Sequence, residues 1–301
     1  MAKKLTLTFI PMRTSLILAC CLVVGHSALS QSKEIASRDS AYSYLSASLD
    51  FVNNYVYVGR PSRTTFPYLT PALTWYHKSG AYFGASTSIL TKSSNTQVDL
   101  SYLTAGYMRS FGNFEGGVEL NKYWYNKNSS NPKSEVNSDI TISGVYAAGP
   151  VNIGASAFAM FSKKNTDWGT TLSVDHSFYL LEESLEIAPT LTMNAGTSKF
   201  YGKNFLRKFT PPNQNGITYD VTADLSDASR FKILDYELSI PVSYYFNKFT
   251  FSFTPTWAFP VNPATAVIQV TPSTGVPSRP RQVTETLNNV FFFALDLTYD
   301  F

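Results

Sequence analysis

The chain has little sulfur and little histidine: two cysteines, adjacent at Cys20 and Cys21, and three histidines in 301 residues. Both cysteines and His26 fall in a stretch that reads as a removable secretory leader. It has basic Lys3, Lys4 and Arg13, an apolar run from Ser15 to Gly25 too short to span a bilayer, and small residues at Ala28-Leu29-Ser30. Residues 1–30 are therefore expected to be cleaved off, with 31–40 a short segment ahead of the main domain. The mature protein then has no disulfide, no thiol nucleophile and no cysteine-ligated metal. His77 and His176 remain as its imidazoles. The basic excess also disappears: taking Lys3, Lys4 and Arg13 from 24 Lys+Arg leaves 21, against 21 Asp+Glu. Net charge thus gives no argument for nucleic acid. No later run approaches the roughly 18 apolar residues of a membrane helix. Nor does a Gly-rich phosphate loop or a metal-spaced His pair occur, so neither cofactor nor metal is expected.

What the chain does have is alternation. Twelve segments with a period of two, bounded by turn residues, run from 41 to the end. They span 41–54, 66–76, 81–90, 97–108, 113–125, 139–147, 151–161, 168–179, 185–194, 233–246, 249–259 and 290–301. Each is long enough to cross a bilayer as a tilted strand, which needs about 9 to 11 residues. Links after even-numbered segments are short, as at His77-Lys78-Ser79-Gly80 and Asn247-Lys248. Links after odd-numbered ones are mostly long and polar, notably 126–138, 195–232 and 260–289. Short and long connections alternate in this way in membrane barrels. The 195–232 link has room for a further hairpin, which would raise the count to fourteen.

The last segment, VFFFALDLTYDF, places Phe291, Phe293, Leu295, Leu297, Tyr299 and Phe301 on one face. Ala294, Asp296, Thr298 and Asp300 fall on the other. A strand of this kind ending on Phe resembles the closing strand of Gram-negative outer-membrane β-barrels. The resemblance implies an all-β, antiparallel up-and-down barrel over 41–301, an outer-membrane address, and engagement of the assembly machinery through that strand. It implies a porin-like protein without matching a named subfamily.

Sorting side chains by phase gives an outward set of Leu, Ile, Val and aromatics. Trp124, Trp168, Trp257, Tyr299 and Phe301, with Tyr102, Tyr146 and Phe178, are expected at the lipid interface, where amphipathic rings suit the headgroup level. The inward set is small and polar, including Ser143, Ser156, Thr171, Ser173 and Thr254. Its charges are acidic: Asp50, Asp99, Glu119, Asp175, Glu237 and Asp296 are the candidate pore-lining residues, with Arg109 the one base in phase with them. Facing an open pore, these acids would favour cations or neutral polar solutes. Alternatively they pair with Ser, Thr, Tyr and Asn in a closed polar core. Arg60, Lys133, Lys163, Lys164, Arg230, Arg279, Arg281 and other bases fall on the long loops, matched electrostatically to lipopolysaccharide phosphates.

Pro71, Pro189, Pro241 and Pro255 lie inside segments, where a missing N–H breaks the ladder and a bulge or bend is expected. His176 lies between Asp175 and Ser177, but neighbours on a strand point to opposite faces, so no catalytic constellation is expected there. Asp220, Asp224 and Asp227 in YDVTADLSDAS read as a solvated turn or short helix. The function expected is a small passive channel. The alternatives are a lipid-modifying enzyme using His176, or a surface-binding barrel with a closed lumen.

Overall fold

The computed structural model describes residues 42–61, 67–92, 95–127, 129, 131, 133–201, 205, 219–273, 275–276 and 278–301. The leader and the 31–40 segment lie outside the described residues.

The chain forms a closed antiparallel barrel of twelve strands. They are β1 (Tyr44–Val52), β2 (Tyr68–Tyr76), β3 (Ala81–Lys92), β4 (Asn95–Phe111), β5 (Phe114–Tyr125), β6 (Val136–Ala148) and β7 (Val151–Ser162). There follow β8 (Thr166–Asp175, resuming at Phe178–Leu180), β9 (Leu185–Ile187 and Thr190–Gly196) and β10 (Lys232–Ser239 and Val242–Phe246). The last two are β11 (Phe249–Pro260) and β12 (Val290–Asp300). β12 pairs with β11 from Phe249↔Tyr299 to Ala258↔Val290 and with β1 from Ser46↔Asp300 to Val52↔Ala294. The sheet therefore has no free edge.

Five links at one end, the turn end, are tight. They use residues with positive φ: Gly80, Gly112, Gly149, Leu181 to Glu183, and Asn247. Gly80 is obligatory, because a Cβ there would lie 2.0 Å from the Met108 carbonyl oxygen at a φ of +97°. At the opposite, loop end, a ribbon (Val56–Tyr57 with Arg60–Pro61) and a three-stranded sheet (Tyr219–Leu225, Thr265–Pro272, Arg281–Thr284) stand outside the barrel. The expected turn or helix at 219–227 is thus largely a strand. Its partner is 265–272 rather than a barrel neighbour, so the count stays at twelve.

Prolines interrupt the wall in two ways. Pro189, Pro241 and Pro255 form a staggered row across adjacent strands. The Pro189 carbonyl accepts from His176 N (3.3 Å), Pro241 from Ala188 N (2.9 Å), and Pro255 from Ile240 N (3.1 Å). β8, β9 and β10 each break beside this row. At Pro71 the β2–β3 register stops at Leu69↔Ile89 and resumes at Ala72↔Ser86. There Thr70 Oγ1 donates to Ser88 Oγ at 2.9 Å and bridges the gap by side chains.

Bulges sit near the loop end, one of them at Asp99, which is passed over between Ser88↔Leu100 and Ile89↔Val98. One extra residue reverses which face every later side chain takes. Tyr102 consequently faces inward, packed 6.0 Å from the Tyr123 ring. Arg109 is exposed, its guanidinium donating to Tyr107 and lying over Phe111. Both placements reverse the strict alternation expected from the sequence.

Candidate functional site

The inner wall is built from β residues alternating with an apolar exterior. Ser143, Ser156, Thr171, Ser173, Thr190, Ser252 and Thr254 are buried on it, while Leu120, Ile142, Ile153, Leu172, Leu191 and Leu295 are exposed on the outer face. Aromatics border that exterior at both ends. Trp124, Trp168, Trp257 and Phe291 stand towards the loop end; Trp75, Phe111, Tyr146, Phe178, Tyr299 and Phe301 stand towards the turn end. Trp257 packs on Phe291 at 5.0 Å, and Tyr299 on Phe301 at 4.8 Å.

The candidate acids all belong to the inner face, and most hold a neutral donor. Asp99 accepts from the Tyr68 hydroxyl (2.7 Å) and Ser129 Oγ (2.8 Å). Glu119 accepts from the Tyr82 hydroxyl (2.7 Å) and Asn121 Nδ2 (2.8 Å). Asp139 takes the Tyr123 hydroxyl (2.6 Å) and Asn121 Nδ2 (3.0 Å). Asp175 accepts from Asn152 Nδ2 at 2.8 Å. Asp50 and Asp296 are opposite one another in register on β1 and β12, with Thr298 Oγ1 donating to Asp296 at 3.0 Å. Glu237 stands two residues from the fully buried Asp235 on β10.

The loop end of the lumen is filled. A single apolar cluster joins Tyr68, Leu100, Tyr123, Phe158 and Met160 from β2, β4, β5 and β7 to Leu234 on β10. Tyr55, Tyr57, Phe200, Tyr201, Phe205 and Ile268 enter it from the loops. Burial pushes the Tyr55 and Tyr57 phenols above their usual range, so both stay neutral. Fully burying side chains of this size is worth ~1.5–3 kcal/mol each.

Two bases that the sequence places among the exposed loop charges lie inside this cap instead. Arg60 is 4% exposed. Its Nε meets Glu285 Oε2 at 3.2 Å, and its other nitrogens donate to the carbonyls of Val58, Leu234, Val261 and Asn262 at 3.0–3.1 Å. Tyr201 completes the latch by donating to Glu285 Oε1 at 2.6 Å. Lys133 is 0% exposed and reaches towards Asp139, at 3.9 Å. Lys133 has no local sequence signal, whereas the apolar run Tyr55-Val56-Tyr57-Val58 just before Arg60 is one; the partners of both lie on other strands and loops. Lys163, Lys164, Arg230, Arg279 and Arg281 are exposed at the loop end; Arg63, Lys203, Arg207 and Lys208 lie outside the described residues.

Gly59 lets the ribbon come down to this depth. Its φ is +71°, and a Cβ would fall 2.9 Å from Pro260 Cβ and 3.1 Å from Asp235 Cβ. At the turn end a cavity of about 110 Å3 opens between Lys78, Gly80, Met108, Ser110 and Glu115. His176 directs Nδ1 to the Pro150 carbonyl and its ring edge to Phe178, while Asp175 is held by Asn152. Among the described residues no cluster of three or more His, Cys, Asp or Glu is arranged for a metal ion.

No protein-family model matches the chain, and no curated protein matches it. Solved structures that match most of the chain include the following. A KdgM porin has 11% identity and a TM-score of 0.40, the match covering 86% of this chain and 99% of that one. The COG4313 outer membrane channel from Pseudomonas putida F1 has 9% identity and a TM-score of 0.42, covering 86% and 95%. A bacterial polysaccharide outer membrane secretin has 9% identity and a TM-score of 0.38, covering 86% and 98%.

Proposed function

We propose that the protein is an outer-membrane barrel acting as a passive channel for small polar or cationic solutes, closed at its outer end by the loop cap. The observation that carries this is the inverted distribution of polarity in a closed barrel. An apolar exterior encircles a wall of Ser, Thr, Asn, Asp and Glu. A soluble protein rarely leaves contiguous apolar surface beyond a few hundred Å2 uncovered, whereas lipid covers such a band directly. The aromatic borders then mark the two headgroup levels, with the turn end periplasmic and the loop end outside. The exposed bases at the loop end suit lipopolysaccharide phosphates, and the β12 strand suits the assembly machinery.

Twelve strands leave a wider interior than the eight whose side chains fill a barrel. The inner acids bias any path towards cations, and the reading includes no catalytic step. Recording from the purified protein in a planar bilayer tests it. Unitary, cation-selective currents are expected. A protein that conducts neither intact nor with both long loops shortened would be a closed surface-binding barrel.

A further inference from the structure

Lys133 has an environment unlike that of an ordinary loop lysine. It enters from the β5–β6 link and is completely buried. Its Nζ lies 5.4 Å from the centre of the Tyr57 ring, 5.8 Å from that of Tyr123 and 3.9 Å from Asp139 Oδ2. These three groups come from an outer-loop ribbon, β5 and β6. Two ring faces and a carboxylate around one ammonium are the elements that recognise organic cations, since each ring face attracts positive charge and more strongly once water is excluded. The cage is also braced. The Tyr123 hydroxyl and Asn121 Nδ2 hold the Asp139 carboxylate from the wall. The Tyr57 hydroxyl donates to Met160 Sδ at 3.7 Å, and the Tyr57 ring packs edge-on to Phe200 at 5.0 Å. The link itself is shaped to deliver the lysine, with Lys133 N donating to Asn131 Oδ1 at 2.8 Å and Asn131 N to Ser129 Oγ at 3.2 Å.

We infer that Tyr57, Tyr123 and Asp139 form a binding site for a primary alkylammonium group, which Lys133 occupies as a tethered stand-in for a solute. Aliphatic amines are the ligand class, their methylenes lying along the aromatic cap and the ammonium meeting Asp139. A bound amine displaces Lys133 and with it the loop segment that Lys133 anchors in the mouth. This sharpens the cation preference proposed above by naming a chemistry. It rests on the cage geometry alone, so a barrel that binds amines but passes no current would keep this inference and lose the channel.

Chemical rescue of the full mature chain in detergent tests it. Lys133→Ala removes three methylenes and the ammonium, the atoms of propylammonium. Thermal unfolding of Lys133→Ala should show a saturable rise in midpoint with propylammonium chloride. Neither 1-propanol nor matched sodium chloride should reproduce it. Wild type, whose cage is filled, should respond far less, and Lys133→Ala with Asp139→Asn should need about tenfold more amine. Equal shifts in wild type and variant, or no shift in a variant with wild-type circular dichroism, would overturn the site. If the alanine variant does not fold alone, its refolding yield with propylammonium against 1-propanol reads the same cage. Recovery with the amine alone supports the site, and equal yields overturn it.

Discussion

The two ends of the barrel are made differently. The turn end is assembled from neighbours in sequence: five tight links with left-handed residues, and side chains that meet their partners within a hairpin, such as Ser110 Oγ donating to Glu115 Oε2 at 2.9 Å. Its interior holds only a small cluster of Tyr76, Tyr82, Met108, Val145 and Ala147, beside a cavity of about 110 Å3. The loop end is assembled across the chain. Arg60 meets Glu285, and Tyr57 packs against Phe200 and Met160. Its interior is an aromatic plug with two buried cations. The strand ladder closes the wall without the cap, but the cap depends on one network of charges and rings. Opening one end while keeping the barrel is physically available to this architecture.

Variants that act on one end alone would break or sharpen that contrast. The largest effect is expected from Arg60→Met. Breaking a buried pair by removing one partner costs ~3–5 kcal/mol because the other charge stays buried, here Glu285. Limited proteolysis should cut residues 53–61 and 261–289, while heat-modifiable migration on gels shows an intact barrel. Gly80→Val makes the reverse test. A Cβ against the Met108 carbonyl and a φ of +97° should cost ~1–3 kcal/mol. Barrel stability in urea should then fall without new loop cleavage. Tyr123→Phe removes one of the two side-chain donors that hold Asp139, and ~1–3 kcal/mol should appear as looser packing of the cap in hydrogen exchange. The smallest effect on stability belongs to Asp50→Asn with Asp296→Asn, which relieves repulsion between opposed acids. Its readout is a reversal potential shifted towards zero in a salt gradient.

The same contrast explains what the sequence reveals. Every barrel strand is legible to within about three residues because burial of one face imposes a period of two, and link lengths alternate with the two ends. The inward acids follow from parity until Asp99, where a bulge with no compositional mark carries Tyr102 inward and Arg109 outward. Prolines in APTLTM and TPTWAF announce breaks, and Pro189, Pro241 and Pro255 do line up, but only register shows that they form a row. At the cap the pattern falls silent. Lys133 sits among polar loop residues and looks solvated, and Arg60, though it follows the apolar run Tyr55 to Val58, falls on an outer loop; the carboxylates that meet them, Asp139 and Glu285, lie on other elements. The strand Tyr219–Leu225 likewise takes its partner from 265–272, so its own acids, Asp220 and Asp224, suggest only a loop.

The central claim is that a cation-favouring lumen lies beneath a removable cap. Single-channel recording of a chain in which 53–61, 198–230 and 262–288 are each replaced by a short turn tests it most directly. The account predicts a steady, cation-selective conductance that the intact protein shows only in brief openings. A folded, bilayer-inserted barrel of this kind that passes no current would contradict it.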